Sequence, residues 1–193
     1  MKPKIGIIGN GHVGSALERG LGRAGYDVRA VGNDANAVRE IAKAVNVVMI
    51  AVPFGAVDDA LRELGGAIDG KVVVDVTNAL TPDYQLALGY STSGAEELQK
   101  KAPKARVAKA FNTVFAANMD SGHVKGEQLS AFVASDDDDA KKTVLEMARA
   151  IGFDAVDAGP LRNARLLEPL GYFNIQLGYM LKMGTDIGFK LVH

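Results

Sequence analysis

The chain has 193 residues, which suits one domain with a small appendage, and 48% of them are apolar, enough for a full core. A net charge of −1 excludes the strong field that draws a protein to nucleic acid or to acidic membrane surfaces. The absence of cysteine excludes disulfides, a thiol nucleophile, thiolate zinc sites and cysteine-held iron–sulfur clusters, and it suits a reducing cytoplasm.

Met1-Lys2-Pro3 leads without a secretory leader pattern into the apolar run Ile5 to Ile8, the first predicted strand. The turn Gly9-Asn10-Gly11-His12-Val13-Gly14 follows, and then Val13, Leu17 and Leu21 recur at helical spacing. This is the strand–turn–helix form of G-x-G-x-x-G that cradles a dinucleotide pyrophosphate. Gly9 permits the tight turn, Gly11 lets the backbone approach the phosphates, and Gly14 lets helix and strand pack closely. The free N–H groups at the helix start attract the anion.

Gly25-Tyr26 turns the chain into a second strand, Asp27 to Val31, and Asp34 or Asn33 caps a helix over Ala35 to Ala44. Val47 to Val52 is a continuous apolar run ended by Pro53, as in parallel strands buried on both faces. A helix over Phe54 to Leu64 and a fourth strand over Lys71 to Val76 complete β-α-β-α-β-α-β. Thr77 to Gly94 reads as a loop, Ala95 to Lys101 as a short helix and Arg106 to Ala110 as a fifth strand. Leu129 to Ala134 reads as a sixth strand, followed by a helix over Asp136 to Ala150 capped by Ser135, and a last strand near Asp154 to Val156. From Leu161 a helical tail runs to the end, interrupted near Gly184. The expected fold is α/β: a Rossmann-type doubly wound parallel sheet with a helical C-terminal tail. No apolar run approaches the roughly 20 residues of a membrane helix, so the expectation is a soluble, cytoplasmic protein.

In such a sheet ligands bind beyond the carboxyl ends of the strands. That gathers the glycine turn, Gly32-Asn33-Asp34, Pro53-Phe54, Thr77 to Leu80 and Phe111-Asn112-Thr113. The end of the second strand reads Val31-Gly32-Asn33, with neither the acid that binds the ribose hydroxyls of NAD nor the base that binds the 2′-phosphate of NADP. Asp136 to Asp139 lie where a helix starts, as solvated carboxylates favoured by the dipole, and no metal site is assigned. No catalytic residue is assigned either. His12 frames the cofactor, His123 sits in a glycine-flanked loop, and His193 is the last residue. A dehydrogenase of alcohols or ketones needs a general acid or base, whereas hydride exchange between two cofactors does not.

Over almost its whole length the chain resembles the NADP oxidoreductases dependent on the deazaflavin coenzyme F420, and also the oxidoreductase domain of six-transmembrane metalloreductases. The motifs are IGIIGNGHVGSAL, VVMIAVPF, KAFNTVFAANM, SDDDDAKKTV, DAGPLRNARLLEPL and MGTDIGFKL. The resemblance implies that Asn10, Gly11, His12 and Val13 wrap the pyrophosphate of NADP, with NAD as the alternative, inside a cofactor-binding turn bounded by Gly9 and Gly14. It implies that Gly32 and Asn33 lie at the adenosine 2′-position, and that Phe54, Leu80 and Ala116 line the rest of the nucleotide. The family commonly has Ser or Thr and then Arg where this chain has Gly32-Asn33. The deazaflavin enzymes resemble A-x-H-T-x-P after the fifth strand, whereas Phe111-Asn112-Thr113 is nearer the metalloreductase form.

The expected activity is hydride transfer between NADPH and a flavin-like or deazaflavin acceptor bound near Asn112, Thr113 and Met183. A non-catalytic dinucleotide sensor and a dehydrogenase of a small carbonyl substrate are the alternatives. The latter needs an acid in the pocket, and neither Lys109, inside the fifth strand, nor Lys182, on the tail helix, is well placed for it. Residues 1–158 form the expected nucleotide-binding domain. Residues 159–193 resemble the tail that completes the acceptor pocket and pairs two copies, with Leu166, Leu167, Leu170, Phe173, Leu177 and Leu181 as its apolar stripe.

Overall fold

A computed structural model describes residues 2–193, so Met1, where the expected nucleotide-binding domain begins, lies outside the described residues. A seven-stranded sheet forms the centre, in the order β2-β1-β3-β4-β5-β8-β9. Its first five strands are β1 (Ile5–Ile8), β2 (Val28–Val31), β3 (Val47–Ile50), β4 (Val72–Asp75) and β5 (Arg106–Lys109). All of them pair in parallel. Strands β1, β3 and β4 are buried along their whole length, because helices cover both faces. One face holds α1 (His12–Arg23), α5 (Ala116–Met119) and α6 (Asp138–Ile151) over a core that includes Leu17, Leu21, Met119 and Val144. The other holds α2 (Ala35–Ala44), α3 (Val57–Leu64) and α4 (Gly94–Lys101) over Ile41, Leu64 and Leu98.

The sheet departs from the expected all-parallel form at its far side. Strand β8 (Ser130–Ser135) runs antiparallel to β5, pairing Ala108 with Ser135 and Lys109 with Ala134. Residues 110–129 hold only the four-residue α5 and the hairpin β6 (His123–Val124) and β7 (Glu127–Gln128), turned on the positive-φ pair Lys125-Gly126. That excursion stays at the carboxyl edge of the sheet, so the next strand starts there and runs backwards. Helix α6 then crosses over to β9 (Asp154–Asp157), which is parallel to β8. The cap of α6 is Asp137, whose carboxylate accepts from the Ala140 N–H at 2.7 Å, rather than Ser135. Ser135 instead donates to the Val107 carbonyl and ties β8 to β5.

The tail is helical only in part. After a 3-10 turn (Leu161–Asn163), α7 (Ala164–Ile175) runs up beside α4 and over the carboxyl ends of the strands, closing in a π-turn at Gln176–Met180. Residues 181–193 are irregular, so Lys182 lies beyond the helix. The end of the chain is held by the Asn118 amide, which donates to the Thr185 and Ile187 carbonyls. It then lies along β8, where the Ser130 N–H donates to the Phe189 carbonyl at 2.9 Å. That half of β8 projects past the end of β5, and the tail satisfies its open edge. Among the described residues no helix is long and apolar enough to cross a membrane.

Candidate functional site

The glycine turn is built as its spacing demands. Gly9 has φ +111°, and a Cβ there would lie 2.3 Å from the Ala51 carbonyl oxygen. A Cβ on Gly14 would lie 1.8 Å from the Gly9 carbonyl oxygen, so only glycine lets α1 start this close to β1. Gly11 differs: its backbone is ordinary extended (φ −72°), and a Cβ there would meet no protein atom within 4 Å. Its missing side chain is required by nothing in the protein. What it leaves is open space over the first turn of α1, whose N–H groups have no helical partner. Gly11 offers them no side-chain cap, whereas Asp34, Ser93 and Asp137 cap α2, α4 and α6.

At the end of β2 the Asn10 side chain packs 3.3 Å from where a Gly32 Cβ would stand, and Asn33 is exposed. The Asp34 carboxylate folds back onto the Ala37 N–H at 2.7 Å, away from any ligand at Asn33. Arg39, the nearest guanidinium on α2, is paired with Glu63 on α3 and with Asn36.

A groove of about 590 Å³ joins the glycine turn to the start of α5. Asn10, Gly11, His12, Ser15 and Arg19 form one wall; Phe115, Ala116 and Ala117 form the other, with Tyr179 and Thr185 of the tail above. Phe115 and Tyr179 meet edge to face with ring centres 5.5 Å apart. The tail can lie this close because residue 178 is glycine: a Cβ there would stand 2.6 Å from Phe115 Cζ.

Of the residues expected to bind ligand, Asn10, Gly11, His12 and Ala116 come together in this groove. Val13 packs its side chain against the core and leaves only its backbone to the turn. Phe54 lines a separate cavity of about 360 Å³ against α4, and Leu80 forms a bridge with Leu86 in the loop after β4. The acceptor group needs correction. Asn112 and Thr113 are 6% and 2% exposed, so their side chains do not face a ligand. The Asn112 amide donates to Asn78 Oδ1 (2.9 Å) and the Leu167 carbonyl (2.7 Å), and the Thr113 carbonyl accepts from the Asn174 amide. These strand-end residues hold α7 in place. Gly171 makes the fit possible, since a Cβ there would come within 2.5 Å of Asn78 Oδ1. Met183 is exposed on a different cleft, between the tail and the β6–β7 hairpin.

A second group beneath the site was not foreseen. Lys109 is fully buried and its ammonium donates to Asp75 (2.9 Å) and to the Thr77 carbonyl (2.6 Å), with Glu168 of α7 2.9 Å away. Glu168 also accepts the Gly94 and Ala95 N–H groups at the start of α4. Burial pushes the lysine pKa down, but Asp75 and Glu168 more than offset it and hold the ammonium above its ordinary range. The sequence carries the signal: Asp75 and Lys109 each stand in an apolar strand and Glu168 in an apolar helix, and charges buried there must find one another. Between β5 and α7, Phe111 turns the chain with φ +66° while 1% exposed, packed on Phe153. Among the described residues no group of three or more His, Asp or Glu could hold a metal.

A mostly parallel sheet with this glycine turn at its switch point defines a dinucleotide-binding protein of the Rossmann class. The sequence pattern of the family described as NADP oxidoreductase, coenzyme F420-dependent, matches residues 4–47 and 32–79. The chain is 34% identical over 170 residues to the F420-dependent NADP reductase of Methanothermobacter marburgensis, an alignment covering 81% of this chain and 72% of that protein. It is 32% identical over 181 residues to metalloreductase STEAP3 of Rattus norvegicus, covering 87% of this chain but 36% of that protein's length. A crystal structure from Arthrobacter sp. FB24, described as a candidate F420-dependent NADP reductase, superposes with a TM-score of 0.89 at 25% identity, covering 99% of this chain and all of the other. The chain belongs to the F420-dependent NADP oxidoreductase family.

Proposed function

We propose that the protein transfers hydride between NADPH and a flavin-like or deazaflavin acceptor held in the groove. The carrying observation is that groove, which runs without a break from the uncapped N–H groups of α1 to Ala116. The nucleotide would lie with its adenosine at Gly32 and Asn33, its pyrophosphate over Gly11, His12 and Val13, and its nicotinamide against Ala116. The nicotinamide supplies the hydride. Phe115, Ala116 and Tyr179 hold the two rings face to face and exclude water, which is what a direct transfer asks of the protein. Asn112 and Thr113 act beneath, by fixing α7 and so the height of Tyr179.

Lys109 does not serve a carbonyl substrate as an acid, because its ammonium is fully buried among three acceptors. Lys182, the other lysine considered for that reading, is exposed beyond the helix and does not line the groove. Oxidation of NADPH followed against riboflavin, FMN, coenzyme F420 and ferric chelates tests the proposal. Turnover with at least one ring acceptor is expected; tight NADP binding with no turnover would favour a dinucleotide sensor.

Cofactor choice follows from Asn33, whose neutral hydrogen bonds to a 2′-phosphate are weaker than a guanidinium's. A small preference for NADP over NAD is therefore expected. Asn33→Arg should raise it by on the order of ten-fold, roughly 1.4 kcal/mol of added pairing. Both dissociation constants in parent and variant check this. A parent that already prefers NADP by several thousand-fold would show that another group reads the phosphate.

The tail also supports pairing of two copies. Leu166, Phe173 and Leu181 are 67%, 52% and 66% exposed, and Met180 is exposed as well. Leu167, by contrast, is buried in the protein itself. Light scattering at micromolar concentration should give the mass of a homodimer, and a monomer mass would refute the interface.

A further inference from the structure

We propose that Arg19 anchors an anionic tail on the acceptor, so that the groove prefers a ring carrying a phosphate over the bare ring. The proposal rests on the reading that the groove binds a flavin-type acceptor. Gly11, Ser15 and Arg19 stand four residues apart on one face of α1, and all three line the groove. Arg19 is seven residues beyond His12, about 10 Å further along the helix at ~1.5 Å per residue. Backbone N–H groups hold the pyrophosphate at the first turn, and Arg19 stands two turns further on, which leaves its guanidinium for an anion on the second ligand. The facing wall, Phe115 to Ala117 with Tyr179, is an apolar, partly aromatic surface of the kind that takes a flat ring.

The guanidinium is set up for a further partner. Its Nε donates to Asp120 at 3.3 Å, and among the described residues its two Nη groups have no hydrogen-bond acceptor. Asp120 is shared with Arg23, which donates to its carboxylate and its carbonyl. Two guanidinium groups against one carboxylate leave a net positive charge at this end of the groove. Asp120 orients Arg19 from the Nε side and leaves the Nη pair for a phosphate. The Arg19 side chain is 58% exposed and Asp120 keeps its pair with Arg23, so removing the Arg19 guanidinium costs the fold little.

FMN and riboflavin share one ring and differ by a phosphate, which makes them the probes. Calorimetry on the NADP-loaded protein should show FMN binding on the order of ten-fold more tightly than riboflavin. Arg19→Ala should erase that difference by weakening FMN alone, and Arg19→Lys should restore part of it. NADP affinity, measured separately, should stay within two-fold or so in both variants. Equal binding of the two flavins by the parent, or no binding of either, would overturn the proposal. So would an Arg19→Ala variant that loses NADP affinity, since the side chain would then read the nucleotide. Failure of the hydride reading would look different: FMN preference present and Arg19-dependent, with no NADPH oxidation.

Discussion

Gly11→Val should abolish NADP binding, a loss of at least 100-fold or about 2.7 kcal/mol, while the protein melts at its usual temperature. The separation of the two effects is the point. Gly11 lies at φ −72° and ψ −165°, extended backbone with none of the positive φ that demands glycine, and a Cβ there touches no protein atom. The added isopropyl group therefore enters only the space proposed for the pyrophosphate. Gly14→Ala is the contrast, because its Cβ would collide with the Gly9 carbonyl and disturb the fold itself. Calorimetry with NADP and a thermal melt distinguish them. Unchanged affinity in Gly11→Val would remove the glycine turn from the site.

Lys109→Met should destabilise the protein by about 3–5 kcal/mol, measured by urea denaturation. The substitution keeps the length of the side chain and removes its charge. Asp75 and Glu168 would then face each other, buried and without their shared cation. The lysine's own contribution in the parent should not change across neutral pH. A lysine whose folded pKa is raised contributes fully below its unfolded pKa, near 10.4, and loses that contribution only as pH climbs through the folded value. Because Glu168 also fastens α7 to the start of α4, activity should fall with stability, as Tyr179 loses its seat over the groove. A destabilisation below about 1 kcal/mol would show that the carboxylates find other partners.

The glycine turn, the first five strands and α2 are legible in the sequence because each is a local pattern. Glycine spacing, apolar runs of strand length and a capping Asp34 carry their physics within a few residues. What is not legible depends on partners distant in the chain. The apolar run of β8 reports burial but not direction, which is set by a connection that never leaves the carboxyl edge of the sheet. Phe111-Asn112-Thr113 sits at a strand end, where a ligand is the natural expectation, yet α7 crosses above it and bonds the Asn112 amide and the Thr113 carbonyl. The tail reads as helical past Met180 because Leu177 and Leu181 keep the spacing. The helix ends at Met180 because residues 185–191 are drawn along Asn118 and the open edge of β8. Lys109 reads as an oddity within a strand until Asp75 and Glu168 are brought to it.

The most direct test of hydride transfer in the groove uses NADPH carrying deuterium at both C4 positions, with coenzyme F420 as acceptor. A hydride delivered to the carbon centre of a deazaflavin stays there, so the label records the transfer. The proposed arrangement of rings between Ala116 and Tyr179 predicts reduced deazaflavin carrying one deuterium per turnover, and none when NADP binding is abolished by Gly11→Val. Reduced acceptor without deuterium, or tight NADPH binding with no reduction of any ring acceptor, would contradict it.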